Sequence, residues 1–513
     1  MNLFPAWGLI SMDKQKRMES KDVKEPLIFE RSQPGRTGVE PPELDVPERP
    51  LDEYIPAEHL RNNEPELPEV SELDVVRHFT RLSQETFGID TNFYPLGSCT
   101  MKFNPKINEK AASMPSFNTL HPAQPDETVQ GTLEVMHKLQ ASLAEISGMD
   151  CVTLNPAAGA HGELTGLMLI KKRLQHEGKS DRDLMLIPDS AHGTNPASCT
   201  LCGFDTAELE SGEDGRVSVE NLKEHLSDRL AGLMITNPST LGLFESDIQE
   251  ICELVHEAGG YVYMDGANMN AIMGITKPGE FGVDVMHFNL HKTFSSPHGG
   301  GGPGSGPVGA KEGFADFLPV PVVRHDDEEN TYYLDEDLPN SIGKIKGFQG
   351  HPAVHLRAYC YIRAHGGDGL ENVSRTAILN ANYLKEKVQD ILPVAYEDRC
   401  MHEFVLTGTP LKEHDLRTLD VAKRLLDYGI HPPTIYFPLI VKEALMIEPA
   451  ETESRQTLDR FASVLEEIMQ EAEEFPELLE KAPHNRYVSR PDEVQAARHP
   501  VLRWTKEGEE AGE

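Results

Sequence analysis

The sequence is short of several things, and each shortage closes off a class of function. Basic residues are scarce: 48 Lys and Arg stand against 84 Asp and Glu, a formal net charge of −36 over 513 residues. Binding a phosphate backbone needs clustered Lys and Arg, so no nucleic acid partner is expected. Self-repulsion of this size is tolerable where salt screens it, in a salt-rich cytoplasm, and equally in an ordinary soluble acidic protein. The 7 cysteines are scattered from Cys99 to Cys400, which is no disulfide framework and fits a reducing cytoplasm. No run of eighteen apolar residues occurs, so no membrane span is expected. The N-terminal stretch has no basic n-region, and no small-residue cleavage site precedes Lys14; no signal peptide is expected, and Met12 or Met18 serves equally well as a start. H-E-x-x-H and G-x-S-x-G are absent, which sets aside zincin and nucleophile-elbow hydrolases. Internal repeats at the usual short periods are absent too.

What is present divides into regions. Residues 1–90 read as an extended arm and a helix: prolines recur from Pro26 to Pro68, forbidding long helices, before a helix over Glu72 to Glu85. Residues 91–350 read as a large α/β domain. Leu133, Met136, Leu139, Leu143 and Ile146 share one helix face, and Gly148 is placed to end that helix. Short apolar runs then alternate with helical segments: strands at Cys151 to Leu154, Leu184 to Pro188, Leu230 to Thr236, Tyr261 to Met264 and Val283 to Phe288, and helices at Gly162 to Gln175, Val219 to Leu226 and Asp247 to Ala258. That order implies a mainly parallel sheet covered on both faces, with ligands at the carboxyl ends of its strands. Residues 351–490 read as linking helices, Ala353 to Ala364 and Gly369 to Ile391, and a smaller α+β domain with strands at Glu403 to Thr407, Thr434 to Phe437 and Ala444 to Ile447. Its helices are expected at Thr418 to Tyr428 and Ser454 to Glu473. An acidic tail, 491–513, is expected to be disordered.

The chemistry gathers where strands end. Lys292 closes the run His287 to Phe294, and Asp265 closes the run Gly260 to Met264. An aldehyde cofactor needs such a pair: an amine to form a Schiff base, and a carboxylate to keep a pyridine nitrogen protonated. Taken singly, either residue is also an ordinary exposed strand-end or turn residue. Asn155 to Gly162 follows the first strand and opens a helix with small residues, the form of a phosphate cup or of a tight strand-to-helix turn. His161 there is placed either to lie on an aromatic ligand ring or to cap and pack its helix. Gly299, Gly301 and Gly304 make a formal G-x-G-x-x-G, but Pro303 and Pro307 interrupt it and no amphipathic helix follows, so a nicotinamide site is not expected. Cys199 and Cys202 form C-x-x-C without a second pair at zinc-finger spacing, and the flanking small residues read as a closely packed helix.

Four strings carry a resemblance: Asn155 to Glu163 (NPAAGAHGE), Asp189 to Ser198 (DSAHGTNPAS), Met264 to Ala271 (MDGANMNA) and Asp284 to Gly309. With Tyr94 to Lys102 (YPLGSCTMK) and Pro26 to Gly38, they resemble the pyridoxal-phosphate-binding half of glycine decarboxylase, the P-protein of the glycine cleavage system, from about Glu25 to Arg490. The resemblance implies a fold type I, aspartate aminotransferase-like large domain, and the lysine-bearing subunit of the split form of that family. It implies a lysine-free subunit 1 as partner, with two copies of each, a lipoylated H-protein as acceptor, glycine as substrate and a cytoplasmic location. Glycine bound to pyridoxal 5'-phosphate would lose CO2, and its aminomethyl group would pass to the lipoyl arm.

Roles carried over by motif are as follows. Lys292 would form the Schiff base and shuttle a proton. Asp265 would hold the pyridinium N–H, with Ala267 on one ring face and His161 stacked on the other. Ala158, Gly159 and Ala160 would give amides to the phosphate, helped by His291. Thr194 and Asn195 would reach the ring hydroxyl or the substrate, and Ser98, Cys99 and Lys102 the substrate carboxylate or the lipoyl arm. Cys199 and Cys202 depart from the small residues, such as alanine, expected on that helix. Two other readings stand beside this one: a different fold type I decarboxylase that simply protonates its carbanion, and a non-catalytic structural subunit, for which Lys292 beside Asp265 would have no use.

Overall fold

The computed structural model describes residues 25–63, 65–298, 304–486 and 488–505. The expectations about the start of the chain, most of the glycine tract and the last eight residues lie outside the described residues; in the described part of the tail expected to be disordered, Glu493–Arg498 is a helix capped by Asp492. By internal contacts the chain forms two compact units, Met1–Gly88 with Lys481–Glu513, and Ile89–Glu480.

The first unit is mostly irregular. Among the described residues between Ser32 and Glu69 the regular structure is confined to single turns, at Leu51–Glu53 and Ala57–His59 and where Arg36 N–H meets Gln33 O, as the prolines dictate. Its helix, Glu72–Glu85, begins at Ser71, whose hydroxyl accepts the Asp74 N–H while the Asp74 carboxylate returns to the Ser71 N–H. Glu25 is buried and anchors the start of the arm, reached by His78 Nδ1 at 2.9 Å and by Arg31 and Arg81.

The second unit holds a seven-stranded sheet, β1 (Cys151–Thr153), β2 (Leu184–Pro188), β3 (Asp205–Leu209), β4 (Leu230–Thr236), β5 (Tyr261–Gly266), β6 (Val285–Phe288) and β7 (Val308–Ala310), in the order β1-β7-β6-β5-β4-β2-β3. From β3 to β6 all pairings are parallel; β7 runs antiparallel between β6 and β1. Alternate residues of one strand serve opposite cores: Leu233, Ile235, Val262, Met264 and Met286 face one cluster, and Met234, Tyr263 and Val285 the other. That is why these strands read as unbroken apolar runs. Helices α1 (Gln130–Ser147), α2 (Gly159–His176), α3 (Thr194–Cys202), α4 (Val219–His225) and α5 (Ile248–Glu257) accompany the sheet. Gly148 ends α1 in the left-handed region, as its position predicts. Four strands escaped the apolar pattern: β3 is polar and largely exposed, β7 is three residues among glycines, and β8 (Val322–Asp326) with β9 (Thr331–Asp335) forms a half-exposed hairpin.

Helix α6 (Pro352–Val388) joins the two expected linking helices across a break at Gly366, where φ is 64°. Beyond it, β10 (Phe404–Thr407), β11 (Thr434–Ile435) and β12 (Ala444–Ile447) form an antiparallel sheet in the order β10-β12-β11, with α7 (Thr418–Asp427) and α8 (Arg455–Glu474). Leu406, Leu425, Leu445, Phe461 and Leu465 make a separate core there. Among the described residues no helix is long and apolar enough to cross a membrane.

Candidate active site

Five chain segments leave the carboxyl ends of β1, β2, β4, β5 and β6 on one side of the sheet, and their first residues wall a cavity of about 190 Å³. That is smaller than the roughly 300–1,000 Å³ pockets of drug-sized ligands, and suits a single ring with short arms. Lys292, Asp265, Ala267, Gly159, Ala160, Thr194, His291 and Ser98 all line it.

Lys292 sits in a turn after β6, its N–H bonded to Asn289 O at 3.0 Å, and its Nζ donates to Ser98 O at 3.0 Å. Asp265, at the end of β5, is 4% exposed. Its Oδ1 accepts the Ala267 N–H at 2.9 Å and lies 3.4 Å from His287 Nε2; its Oδ2 accepts from Asn195 Nδ2 at 3.2 Å. Burial works against its charge, but His287, Lys292 and these two donors outweigh it and hold the carboxyl below its usual range. His287 is fixed from behind by the Tyr263 hydroxyl on Nδ1 and by Asn289 on Nε2, each at 2.8 Å.

The anion end is the N-terminus of α2. The first N–H of that helix to pair within it is that of Gly162, onto Ala158 O at 2.9 Å, so the amides of Gly159 and Ala160 precede the ladder and are available to an oxyanion. Gly162 must be glycine, because a Cβ there would meet Gly306 O at 2.6 Å and His287 Cβ at 2.9 Å. His291 faces the cavity as a neutral ring, its pKa pushed down to about 3 by burial and by the neighbouring His298, Lys292 and His287. Its Nδ1 accepts the Ser305 N–H at 3.3 Å, which leaves the Nε2 proton for a ligand.

Two expectations change. His161 does not line the cavity: its Nδ1 accepts the Ala157 N–H at 3.1 Å, which folds the ring back over the start of its own helix. His192 lines the cavity beside His287 and His291, in the loop before α3, bonded through Nδ1 to Thr194 Oγ1 at 2.9 Å and set edge-on to Phe437. Lys102 is also outside the cavity wall. Its Nζ is buried on Asn270 Oδ1 at 2.7 Å, Glu451 Oε1 at 2.9 Å and the Tyr361 hydroxyl at 3.0 Å; burial opposes its charge, and Glu451 and Tyr361 more than compensate. Cys99 stands between, its Sγ 3.8 Å from His298 Nδ1, with burial pushing the thiol up. Ala158 caps α2. Cys199, on α3, is buried against Met234 Sδ at 3.8 Å.

Sequence reasoning passed over Glu163, whose carboxylate lines the cavity and accepts from Thr194 Oγ1 at 2.8 Å and Ser198 Oγ at 3.2 Å. The alternation of Glu163, Thr194 and Ser198 between two helices is visible only once those helices pack. Thr236 and Asn289 were missed likewise. The buried Thr236 Oγ1, and Asn195 Oδ1 beside Asp265, have no partner, as expected of groups that face a polar ligand. The donor set fits pyridoxal phosphate: free amides for the phosphate, an ionised carboxylate for the ring nitrogen, an amine for the aldehyde.

Comparisons with known proteins show the family and the fold. Residues 48–334 match the family described as Glycine cleavage system P-protein, and 373–491 match that described as Glycine dehydrogenase, C-terminal domain. The chain is 60% identical over 480 residues to the "Probable glycine dehydrogenase (decarboxylating) subunit 2" of Caldanaerobacter subterraneus subsp. tengcongensis, covering 94% of this chain and 99% of that one. A protein of the same name from Halalkalibacterium halodurans is 55% identical over 489 residues, 95% of this chain and 99% of its own. Among solved structures, an inhibitor-bound glycine decarboxylase (P-protein) of the glycine cleavage system superposes with a TM-score of 0.68 at 20% identity, over 82% of this chain and 94% of that one. A Lactobacillus brevis glutamate decarboxylase gives 0.62 at 14%, over 83% and 98%. These likenesses establish the fold, that of fold type I pyridoxal-phosphate enzymes. Pyridoxal phosphate is the cofactor, and the chain belongs to the glycine cleavage system P-protein family.

Proposed function

We propose that this chain decarboxylates glycine with pyridoxal phosphate held by Lys292, Asp265 and the amides of Gly159 and Ala160. One observation carries the assignment: Lys292 and a buried, donor-stabilised Asp265 face the same small cavity as a helix N-terminus. The bound cofactor supplies an electron-accepting ring. Asp265, held ionised, would keep a proton on the ring nitrogen. Ala267 and His192, both in the cavity wall, would pack against the ring. Lys292 carries the amine that the cofactor aldehyde requires and accepts or returns its proton against Ser98 O.

The partner reading follows from the relatives' names, which call them subunit 2. A lysine-free subunit 1 completes the enzyme, two copies of each assemble, a lipoylated H-protein receives the aminomethyl group, and the complex works in the cytoplasm. Borohydride reduction of the cofactor-loaded chain, with and without its companion, followed by peptide mapping, should place the label on Lys292. Lys292→Ala should abolish both the label and glycine-dependent CO2 exchange while circular dichroism stays unchanged. A label on another lysine, or retained exchange, removes Lys292 from the reaction.

A further inference from the structure

The loop beside Lys292 is pinned to the smaller sheet by alternate residues. Leu96 bridges to Ile447, Thr434 Oγ1 donates to Gly97 O at 2.7 Å, and the Ser98 N–H donates to Glu403 Oε2 at 2.6 Å. The Thr100 hydroxyl donates to Glu448, and Lys102 to Glu451. Gly97 is needed for this approach, since a Cβ there would lie 2.7 Å from Met446 O. Ser98 is held at φ 61°, a strained region for a residue with a side chain, which persists where surrounding bonds over-determine it.

Strand register explains how two glutamates meet. β10 and β12 pair Phe404 with Ile447, so the next positions outward, Glu403 and Glu448, fall opposite each other, an arrangement unfavourable for two like charges. Glu403 is 0% and Glu448 1% exposed, and His402 beside them is 0% exposed. One atom from each of the three lies within 4.8 Å of the others. Glu403 Oε1, Glu448 Oε2 and both ring nitrogens of His402 have no hydrogen-bond partner, the nearest approach being His402 Nε2 to Glu403 Oε1 at 3.6 Å. The folded chain has no packing use for such a cluster, and the cation it faces across Ser98 is Lys292.

We propose that Glu403 and Glu448 are positioning residues for Lys292: the pair together carries one proton and one negative charge, and Glu403, through the Ser98 N–H, sets the carbonyl that receives the lysine. The inference rests on Lys292 being the imine-forming lysine. Burial pushes both carboxyls up, Glu448 to about 7 and Glu403 well above its ordinary value with the Glu448 charge adding to the effect. His402 stays neutral, pushed down to about 3 by burial and by Lys292. The remaining titratable groups facing the pair are Cys99, with its raised thiol, and Glu451 and Lys102, which neutralise each other. Around the lysine itself, His291 and His298 are neutral, His298 pushed down to about 4, and Asp265 with His287 acts from the β5 and β6 side.

Three full-length variants test this: Glu403→Gln, Glu448→Gln and the double substitution, each retaining an acceptor for Ser98 or Thr100. In cofactor-free chain the pH dependence of Lys292 modification by a small amine reagent, read by peptide mass spectrometry, reports the lysine's titration. Either single variant should move its midpoint by less than about 0.3 pH, because the remaining carboxyl ionises and restores the charge; the double variant should lower it by about one pH unit, about tenfold faster modification below the midpoint. A double variant that titrates like the parent, or singles that each shift and add up to the double, overturns the proposal. Infrared difference spectra at neutral pH provide a test that needs only the singles. The acid carbonyl band should disappear in each, and a band retained in both overturns the shared proton. A borohydride label on a different lysine would overturn the proposed function as well, whereas the titration results bear on the inference alone.

Discussion

Asp265 and the Glu403–Glu448 pair are both buried carboxyls within electrostatic reach of Lys292, and they are driven in opposite directions. Asp265 ends a parallel strand where the chain turns, so it collects the Ala267 N–H, the Asn195 amide and the His287 ring along with the lysine. Each glutamate receives a single hydrogen bond, from Ser98 or Thr100, and has the other as its neighbour. Depth is the same in both places. What differs is the surroundings: His287, Lys292 and two donors face Asp265, whereas each glutamate faces a second carboxyl and receives one donor, and that decides whether a buried acid holds its charge or its proton. The strand-end carboxyl is held toward its charged form on the cavity wall; the opposed glutamates are held toward their protonated forms behind Ser98.

The comparison breaks most visibly at Asp265. Asp265→Asn keeps shape and removes charge, and should cut glycine-dependent CO2 exchange by about 10³-fold in a folded chain; activity within tenfold of the parent would mean that the donors around Asp265 serve packing alone. A smaller effect is expected at the aromatic wall of the same cavity. His192→Ala should weaken cofactor retention, measured by equilibrium dialysis, by about tenfold, while His161→Ala leaves it unchanged; the reverse pattern would return the ring face to His161.

The smallest effect sharpens the rule with a third buried acid. Glu245, 3% exposed, accepts one backbone N–H, from Val217 at 3.1 Å, and burial pushes it up to about 7 against the pull of that bond and of Arg216. A carboxyl raised above the roughly 4.3 of an unfolded chain stabilises fully below that pH and loses its contribution as pH rises through the folded value. Glu245→Gln should therefore flatten the fall in melting temperature between about pH 5 and pH 8, by about 2 °C. An unchanged slope in calorimetry would show that one donor suffices to keep a buried glutamate ionised.

Much of this was legible in the amino-acid order. Apolar runs located β2, β4, β5, β6, β10 and β12, because strands buried on both faces, or on a packed sheet, leave an unbroken apolar signature. Lys292, Asp265 and the α2 N-terminus were legible because strand-end position is itself a chemical statement in a parallel sheet, and Ala267 only through the family resemblance. His161 and His192 were not separable: both stand in short small-residue loops before helices, and only the Ala157 N–H, which captures one of them, distinguishes the two. β3, β7, β8 and β9 were missed since polar edges, short strands and exposed hairpins lack the pattern that burial imposes.

The chain's own order of residues determined the class of fold and the lysine–aspartate pair through hydrophobic period and strand-end placement, and the family through contiguous motif strings, because all of these are local properties. Tertiary structure alone decided which histidine faces the cavity, why Lys102 is sealed away from it, and that Glu403 and Glu448, 45 positions apart, stand opposite each other behind Ser98. Those facts depend on register between distant strands and on which buried donors are left to satisfy each acceptor, and neither is written in any contiguous stretch of the chain.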